Sequence, residues 1–337
     1  MKAVAYRASL PIDHADTLLD IDLPAPVATG RDLLVEIKAV SVNPVDTKVR
    51  RNMPPAEGEA RVLGWDAAGI VRAVGPDVSL FKVGDEVWYA GALNRPGTNA
   101  ELHLVDERIV GRKPAKLSFA EAAALPLTAI TAWELLFDRL GVSRDKSASQ
   151  GKVLLVTGAA GGVGSILVQL ARHLTGLTVV ATASRPETED WVRSLGAHYV
   201  IDHSKPLNEE VRRLGLAVNY VASLNATGQH FAALADLIAP QGKLALIDDP
   251  GQLDISLLKL KSISLHWEMM FTRSMFETAD MAAQHALLNE VSGLVDSGVV
   301  KTTLGERFGV INAANLKRAH ALLESNRALG KLVLEGF

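Results

Sequence analysis

The pattern of hydrophobic and polar positions changes character at Pro126. Before that proline, short apolar runs with partial alternation are separated by turn residues, a pattern typical of β-strands. Such runs cover residues 32–42, 69–74 and 83–88. Several short strands at this spacing predict a compact β-barrel-type unit. The first clear helical signal is Ser118, which has Glu121 at capping-box spacing.

After Pro126, predicted helices and strands alternate. Residues 128–140 place Trp133, Leu136, Phe137 and Leu140 on one helical face. Strands are then predicted at 152–157, 178–183, 198–201, 217–222 and 243–247, with helices at 162–174, 187–195 and 229–238. This order is the signature of βαβ units on a parallel sheet. Residues 263–270 are predicted to add an edge strand and 331–335 to close the chain. The fold class is therefore α/β, with a doubly wound parallel sheet.

Composition narrows the possible functions. The 337 residues are enough for two domains, and the net charge of −3 gives no reason to expect nucleic-acid or anionic-membrane binding. The chain has no cysteine, which excludes disulfides, thiolate zinc ligands and a cysteine nucleophile. We see no secretion signal at the N-terminus and no apolar run of the length of a membrane span. We expect a soluble, cytoplasmic protein without a membrane partner.

The strongest chemical signal is a glycine-rich turn between a predicted strand and a predicted helix. It comprises Gly158, Gly161, Gly162, Val163 and Gly164, with the spacing G-x-x-G-x-x-G. A side chain at Gly161 would keep a pyrophosphate from the backbone, and Gly164 allows the helix to pack closely on the sheet. The helix N-terminus offers free N–H groups and a positive dipole end to phosphates. This strand–turn–helix context predicts a nicotinamide dinucleotide site.

The end of the second strand of this unit indicates which dinucleotide binds. NAD-binding proteins place an acidic residue there for the ribose hydroxyl, whereas this chain has Ser184 and Arg185. A hydroxyl and a guanidinium suit a 2′-phosphate, so NADPH is favoured. Two acidic neighbours, Glu187 and Glu189, would oppose a phosphate unless they point away from it.

Five further segments carry a family resemblance, at residues 39–46 (AVSVNPVD), 63–69 (LGWDAAG), 83–87 (VGDEV), 124–132 (ALPLTAITA) and 327–331 (RALGK). With the glycine turn, they resemble the medium-chain dehydrogenase/reductase superfamily over essentially the whole chain, close to its quinone oxidoreductase and zeta-crystallin branch. The resemblance extends to proteins labelled zinc-type alcohol dehydrogenase-like. Zinc-dependent members carry a cysteine where this chain has Asn43, and a His-Glu pair at Trp65-Asp66. We therefore expect no catalytic metal.

The resemblance also implies the domain organisation. A GroES-like β-barrel-type domain of residues 1–125 is completed by a C-terminal segment, 272–337, and the Rossmann dinucleotide-binding domain of residues 126–271 is inserted between them. The active site is expected in the cleft between the domains, far from His198 and His203, which are expected on the surface. Homodimerisation is expected through the last Rossmann strand, at residues 262–270.

The same resemblance implies which residues act in catalysis and in cofactor binding. Hydride transfer to a quinone or to an activated alkene leaves negative charge on an oxygen, for which Asn43 or Lys48 is expected to be the donor. Trp65 and Tyr89 are candidates for an aromatic wall against a flat substrate, with ordinary core packing as the alternative. Asp46 and Asp66 are expected to orient neighbouring donors. Cofactor contacts implied by position fall on Thr131, Ile247, Arg327 and Gly330.

Three functional hypotheses result. The leading one is an NADPH-dependent, zinc-independent reductase of quinones or α,β-unsaturated carbonyls, and the sequence does not divide these two substrate classes. The second is a non-catalytic NADPH-binding protein, as when relatives serve as lens crystallins or bind RNA. The third, a zinc-dependent alcohol dehydrogenase, is disfavoured because the metal ligands are missing.

Overall fold

The computed structural model describes residues 1–337, which form two compact units. The split unit combines Met1–Ile130 with Phe271–Phe337, and the inserted unit is Thr131–Met270. The chain thus enters the inserted unit after Ile130 and leaves it after Met270.

The N-terminal part of the chain holds eight strands and three helices. The strands are β1 (Lys2–Tyr6), β2 (Leu19–Asp22), β3 (Asp32–Val42), β4 (Arg61–Val62), β5 (Ala67–Val74), β6 (Glu86–Tyr89), β7 (Leu102–Asp106) and β8 (Val110–Arg112). The helices are α1 (Pro44–Asn52), α2 (Phe119–Ala123) and α3 (Pro126–Trp133), and Glu107–Ile109 forms a 3₁₀ turn.

Strands and helices alternate through the middle of the chain. The π-helical segment Glu134–Arg139 is followed by α4 (Lys146–Ser149), β9 (Val153–Thr157), α5 (Gly162–Leu174), β10 (Thr178–Thr182), α6 (Pro186–Ser194), β11 (Tyr199–Ile201), α7 (Leu207–Arg213), β12 (Val218–Ser223), α8 (Thr227–Leu237), β13 (Ile238–Leu246), the 3₁₀ helix Ile255–Lys261 and β14 (Ser264–Trp267). The C-terminal part adds α9 (Thr272–Met275), α10 (Ala283–Asp296), β15 (Leu304–Arg307), α11 (Ala313–Glu324) and β16 (Lys331–Glu335).

The inserted unit is built on one parallel sheet of six strands. Their order is β11-β10-β9-β12-β13-β14, so that the first strand of the unit, β9, lies between its second and its fourth. This is the doubly wound arrangement, whose ligand crevice lies at the carboxyl ends of the strands, where the winding direction reverses. Every residue of β9 is buried, which explains its unbroken apolar run. The predicted fold class is confirmed.

The split unit contains a seven-stranded sheet and a three-stranded sheet. The larger has the path β15-β16-β3-β5-β6-β8, with β7 also paired to β3, and the smaller is β2-β1-β4. The C-terminal strand β16 runs antiparallel to β3, with Leu332 opposite Val42. This pairing delivers Lys331, the first residue of β16, to the end of β3 where α1 begins.

The helices differ from the sequence prediction at several points, among them α4 and α7, which were not predicted. Helix α1 was not predicted, although the sequence carries its start signal: Asn43 caps the helix, Pro44 is its first residue and Asp46 completes a capping box. The helix predicted over 128–140 begins at Pro126 and widens into π-helix at Glu134. The stretch Phe119–Arg139 is long and apolar enough to span a membrane, but 83% of its most apolar window is buried, as in a core helix.

The π-helical segment supplies one member of a buried pair of carboxyl groups. Glu134 is completely buried, and the side chain of Glu268, just beyond β14, is hydrogen-bonded to it. Arg139 donates from Nε to Glu268 Oε2 at 2.8 Å, and its Nη2 lies 3.8 Å from Glu134 Oε2. Burial, and then the neighbouring Glu134, raise the pKa of Glu268 to about 8. One arginine facing two buried carboxyls leaves the pair holding a proton near neutral pH.

This shared proton predicts how stability depends on pH. Between pH 4.5 and about 8 the folded protein keeps a proton on Glu268 that the unfolded chain has lost. The free energy of unfolding should therefore fall as pH rises through this window, with a slope approaching about −1.4 kcal/mol per pH unit from this one proton. In Glu268→Gln this contribution should vanish, as measured by urea unfolding between pH 5 and 9. The exposed Glu209→Gln in the same unit should keep the wild-type slope, and equal slopes in wild type and Glu268→Gln would contradict the account.

Candidate active site

The glycine turn connects the buried strand β9 to helix α5. Gly158 has φ +64°, a backbone conformation that favours glycine, and Gly161 caps the start of α5. A Cβ on Gly164 would lie 2.5 Å from Cα of Ala159, so only glycine allows this approach of helix to turn. A Cβ on Gly161 would meet nothing closer than the Gly158 carbonyl oxygen at 3.3 Å. The Gly161 side of the turn is therefore free of packed neighbours.

This geometry fits the phosphates of a dinucleotide. Helix α5 has no side-chain cap, so the backbone N–H groups of its first turn, from Gly162, Val163 and Gly164, have no partner inside the helix. They lie at the positive end of a 13-residue helix, which is the arrangement that binds pyrophosphate. The glycine-turn residues that the sequence analysis predicted to bind the cofactor thus form one continuous segment at the start of α5.

Three polar residues follow the ends of β10 and β11, on the same edge of the sheet. Ser184 Oγ lies 3.3 Å from Nε2 of His203, and Arg185 follows directly as the N-cap of α6. Arg185 is partly exposed, with its Nε 3.5 Å from Oε1 of Glu187. His203 was expected on the surface away from the site, and it is exposed, but it lies beside Ser184. The sequence could have indicated that His203 lies close to Ser184, because the carboxyl ends of adjacent parallel strands meet at one edge of a sheet.

The split unit contains a buried charged network at the junction of β3 and α1. Lys331 is only 3% exposed, and its Nζ donates to Asp66 Oδ2 at 2.9 Å, to the Val42 carbonyl at 3.1 Å and to Asn43 Oδ1. Asn43 Nδ2 donates to the same Asp66 oxygen at 2.8 Å, and the Leu127 N–H donates to the other at 2.7 Å. Burial raises the pKa of Asp66, and Lys331 and Asn43 counteract that rise. The lysine compensates a carboxylate that is completely buried.

A second buried carboxyl group lies beside this network. Asp46 Oδ2 accepts the backbone N–H of Asn43 at 2.7 Å and so caps α1. Burial raises the pKa of Asp46 to about 7, although Asn43 and Lys331 lower it. Asp46 and Asp66 thus bind the backbone and the side chain of Asn43, respectively.

The side-chain amide of Asn43 is hydrogen-bonded within this network. It donates to Asp66 and accepts from Lys331, and the residue is 2% exposed. Its Nδ2 also donates to the Ser41 carbonyl at 3.4 Å, so donation from Asn43 to a substrate oxygen would require its bond to Asp66 or its bond to Ser41 to break. Lys48, on the following turn of α1, is half-buried. Lys331 was not predicted as a site residue, although it ends the segment 327–331 that carries the family resemblance and opens an otherwise apolar strand.

The two aromatic candidates lie in the core of the split unit. Trp65 is fully buried, and its Nε1 donates to the Ala92 carbonyl at 3.1 Å. Tyr89 is also fully buried, stacks on His103 and is hydrogen-bonded to its Nδ1 at 3.0 Å. Burial lowers the pKa of His103 to about 4, so the ring is neutral at physiological pH. Neither aromatic residue presents an exposed face here, which corresponds to the core-packing alternative.

The remaining nominated cofactor residues lie in two places. Thr131 is buried at the start of the inserted unit, and Ile247 follows β13 at the carboxyl edge of its sheet. Arg327 is exposed beyond α11 in the split unit, and Gly330, with φ +59°, is the turn residue before β16. Gly330 therefore sets the entry of Lys331 into its buried position.

The side chains around Asn43 are not the usual ligands of zinc. The positions where zinc-dependent members of the family carry ligands hold the amide of Asn43, the indole of Trp65 and the carboxylate of Asp66. The Asp66 oxygens already accept hydrogen bonds from Lys331, Asn43 and Leu127. Zinc in proteins is held by thiolates, imidazoles and free carboxylates. Nowhere in residues 1–337 do three or more His, Cys, Asp or Glu side chains cluster closely enough to hold a metal ion.

Comparison with known proteins gives matches over the whole chain. Residues 29–130 match the family of alcohol dehydrogenase GroES-like domains, and residues 195–334 match the family described as zinc-binding dehydrogenase. A zinc-type alcohol dehydrogenase-like protein from Staphylococcus epidermidis is 37% identical over 336 residues, covering 99% of each chain. An NADPH-dependent alkenal/one oxidoreductase of Arabidopsis thaliana is 30% identical, covering 99% of this chain and 79% of its own.

Solved structures of similar proteins match the chain over almost its whole length. A protein of Rhizobium etli, provisionally described as a zinc-dependent alcohol dehydrogenase, superposes with a TM-score of 0.96 at 63% identity, covering 100% of this chain and 98% of its own. Escherichia coli quinone oxidoreductase complexed with NADPH gives a TM-score of 0.83 at 25% identity, covering 99% and 100%. The chain is an oxidoreductase that belongs to the medium-chain dehydrogenase/reductase superfamily, in its quinone oxidoreductase branch.

Proposed function

We propose that the protein is an NADPH-dependent, zinc-independent reductase that transfers hydride to quinones or to α,β-unsaturated carbonyls. The observation that carries the proposal is the Lys331–Asp66–Asn43 network. In it, Asn43 and Asp66, at two of the positions where zinc-dependent members of the family carry metal ligands, bind the ammonium group of Lys331. The named relatives include an NADPH-dependent alkenal/one oxidoreductase and a quinone oxidoreductase, which support both substrate classes.

The chemistry explains why a metal is dispensable. Bound NADPH supplies a hydride, and a quinone or an activated alkene is already electron-poor, so it needs no Lewis acid. The protein then has to stabilise negative charge that develops on an oxygen, for which one positioned donor is enough. The two candidates for this donor are Asn43, whose amide is engaged with Asp66 and Lys331, and Lys48, on the next turn of α1.

Preference for NADPH rests on the residues beyond β10 and β11. Ser184, Arg185 and His203 combine a hydroxyl, a guanidinium and an imidazole, all of which can donate to a 2′-phosphate. Glu187 would have to release Arg185, with which it forms a partly exposed ion pair. Such a pair is weak, so the phosphate competes for Arg185 at little energetic cost.

A homodimer in the cytoplasm is part of the same proposal. Strand β14 is the outermost strand of its sheet, and an open edge invites pairing with another chain. Several large apolar side chains near this edge are exposed: Ile255, Leu257, Leu260, Trp267 and Met269. A second copy pairing at β14 would cover both the edge and these side chains.

The cofactor preference is tested by fluorescence titration with NADPH and NADH. The parent protein should bind NADPH at least about tenfold more tightly, which corresponds to about 1.4 kcal/mol. Arg185→Ala should remove much of that difference, with little effect on NADH affinity. Arg212→Ala, which removes another exposed arginine from the same unit, is the control and should change neither value. Equal affinities of the parent protein for the two cofactors would refute the preference.

The reaction is tested by following NADPH oxidation against a panel of quinones, enones and saturated aldehydes, with and without a chelator. We expect turnover of quinones or enones, poor turnover of saturated aldehydes and no effect of the chelator. Slow turnover of every acceptor despite tight NADPH binding would favour a non-catalytic binding protein. Activity lost to the chelator and restored by zinc would contradict zinc independence.

A further inference from the structure

The loop between β12 and α8, residues 224–226, forms one wall of the glycine turn. A Cβ on Gly158 would lie 3.3 Å from Cβ of Asn225 and 3.6 Å from Cβ of Leu224. The N–H of Leu224 donates to Thr157 Oγ1, at the end of β9, at 3.1 Å. The position of this loop therefore decides how much space lies beside the first glycine of the turn.

The loop is held in a strained conformation. Ala226 has φ 54° and ψ 32°, the left-handed region that non-glycine residues rarely occupy. Ala226 is also the N-cap of α8, where its methyl group provides no acceptor for the first N–H groups of the helix. Something outside the loop has to stabilise it.

Asp248, two residues beyond β13, supplies the missing cap. Its Oδ2 accepts the backbone N–H of Thr227, the first residue of α8, at 2.9 Å, and its Oδ1 accepts the Thr227 hydroxyl. Thr227 Oγ1 lies 2.7 Å from Ser223 Oγ, at the end of β12. Both Ser223 and Thr227 are completely buried. A single carboxylate therefore links the end of β13 to β12 and to the start of α8.

We infer that Asp248 is a positioning residue for the cofactor site: by capping α8 from the neighbouring strand, it fixes the strained loop 224–226 against Gly158. The inference rests on the proposed nicotinamide-dinucleotide site at the glycine turn. It predicts that Asp248 controls NADPH affinity through the loop. The loop should therefore need Asp248 less once its strain is removed.

The test compares NADPH affinity, measured by fluorescence titration, across four variants. Asp248→Ala should weaken binding about fivefold to tenfold, the size expected for the loss of one helix cap. Asp248→Asn keeps one acceptor and should lose less. In the double variant Asp248→Ala with Ala226→Gly, part of the affinity should return, because glycine adopts the left-handed conformation without strain. Asp236→Asn, an exposed change at the other end of α8, is the control and should bind as the parent does.

Hydrogen exchange provides a readout independent of cofactor. The amides of Leu224 and Thr227 should exchange faster in Asp248→Ala, while those of β9 stay protected. Unchanged NADPH affinity in Asp248→Ala, or a loss that Ala226→Gly does not relieve, would overturn the role of Asp248. If the parent protein binds neither NADPH nor NADH, the proposed function itself is refuted, and the two failures are thereby distinguished.

Discussion

The split unit depends on a buried ion pair between Lys331 and Asp66. Asp66 has no exposed surface, and an isolated carboxylate in such a place would be very costly. Lys331 reaches it only because β16, from the far end of the chain, pairs with β3. The same lysine binds the Val42 carbonyl and Asn43, and so fixes the start of α1. One cation thus joins the two chain segments that build this unit and defines the surroundings of the candidate donors.

In the inserted unit, the main constraint is on the N–H groups of the first turn of α5, which have no partner inside the helix and have to be held in a fixed position. Gly164 allows α5 to approach the turn, and the α8 loop packs against Gly158. The loop in turn is held by a carboxylate from the next strand. The β-strands thus position the loops at the carboxyl edge of this doubly wound sheet, where ligands of such folds bind.

Much of this structure was predictable from local sequence signals. Strand β3, helix α5 and strand β16 have the predicted limits, because their periodicity and bounding turn residues are strong. Helix α1 was missed because it is short and mostly polar, although its capping box was present. The Lys331 network and the Asp248 cap could not be found locally, since each joins residues that are distant along the chain. His203 is exposed as expected, and its place beside Ser184 follows from the neighbouring positions of β10 and β11 in the sheet.

A double-mutant cycle on unfolding measures how far Lys331 compensates the buried charge of Asp66. Lys331→Met should cost about 3–5 kcal/mol in the free energy of unfolding, because it leaves a buried carboxylate uncompensated. Adding Asp66→Asn should recover a large part of that loss, since the buried charge is then gone. A cost of Lys331→Met below about 1 kcal/mol, the size of an exposed ion pair, or no recovery in the double variant, would contradict the account.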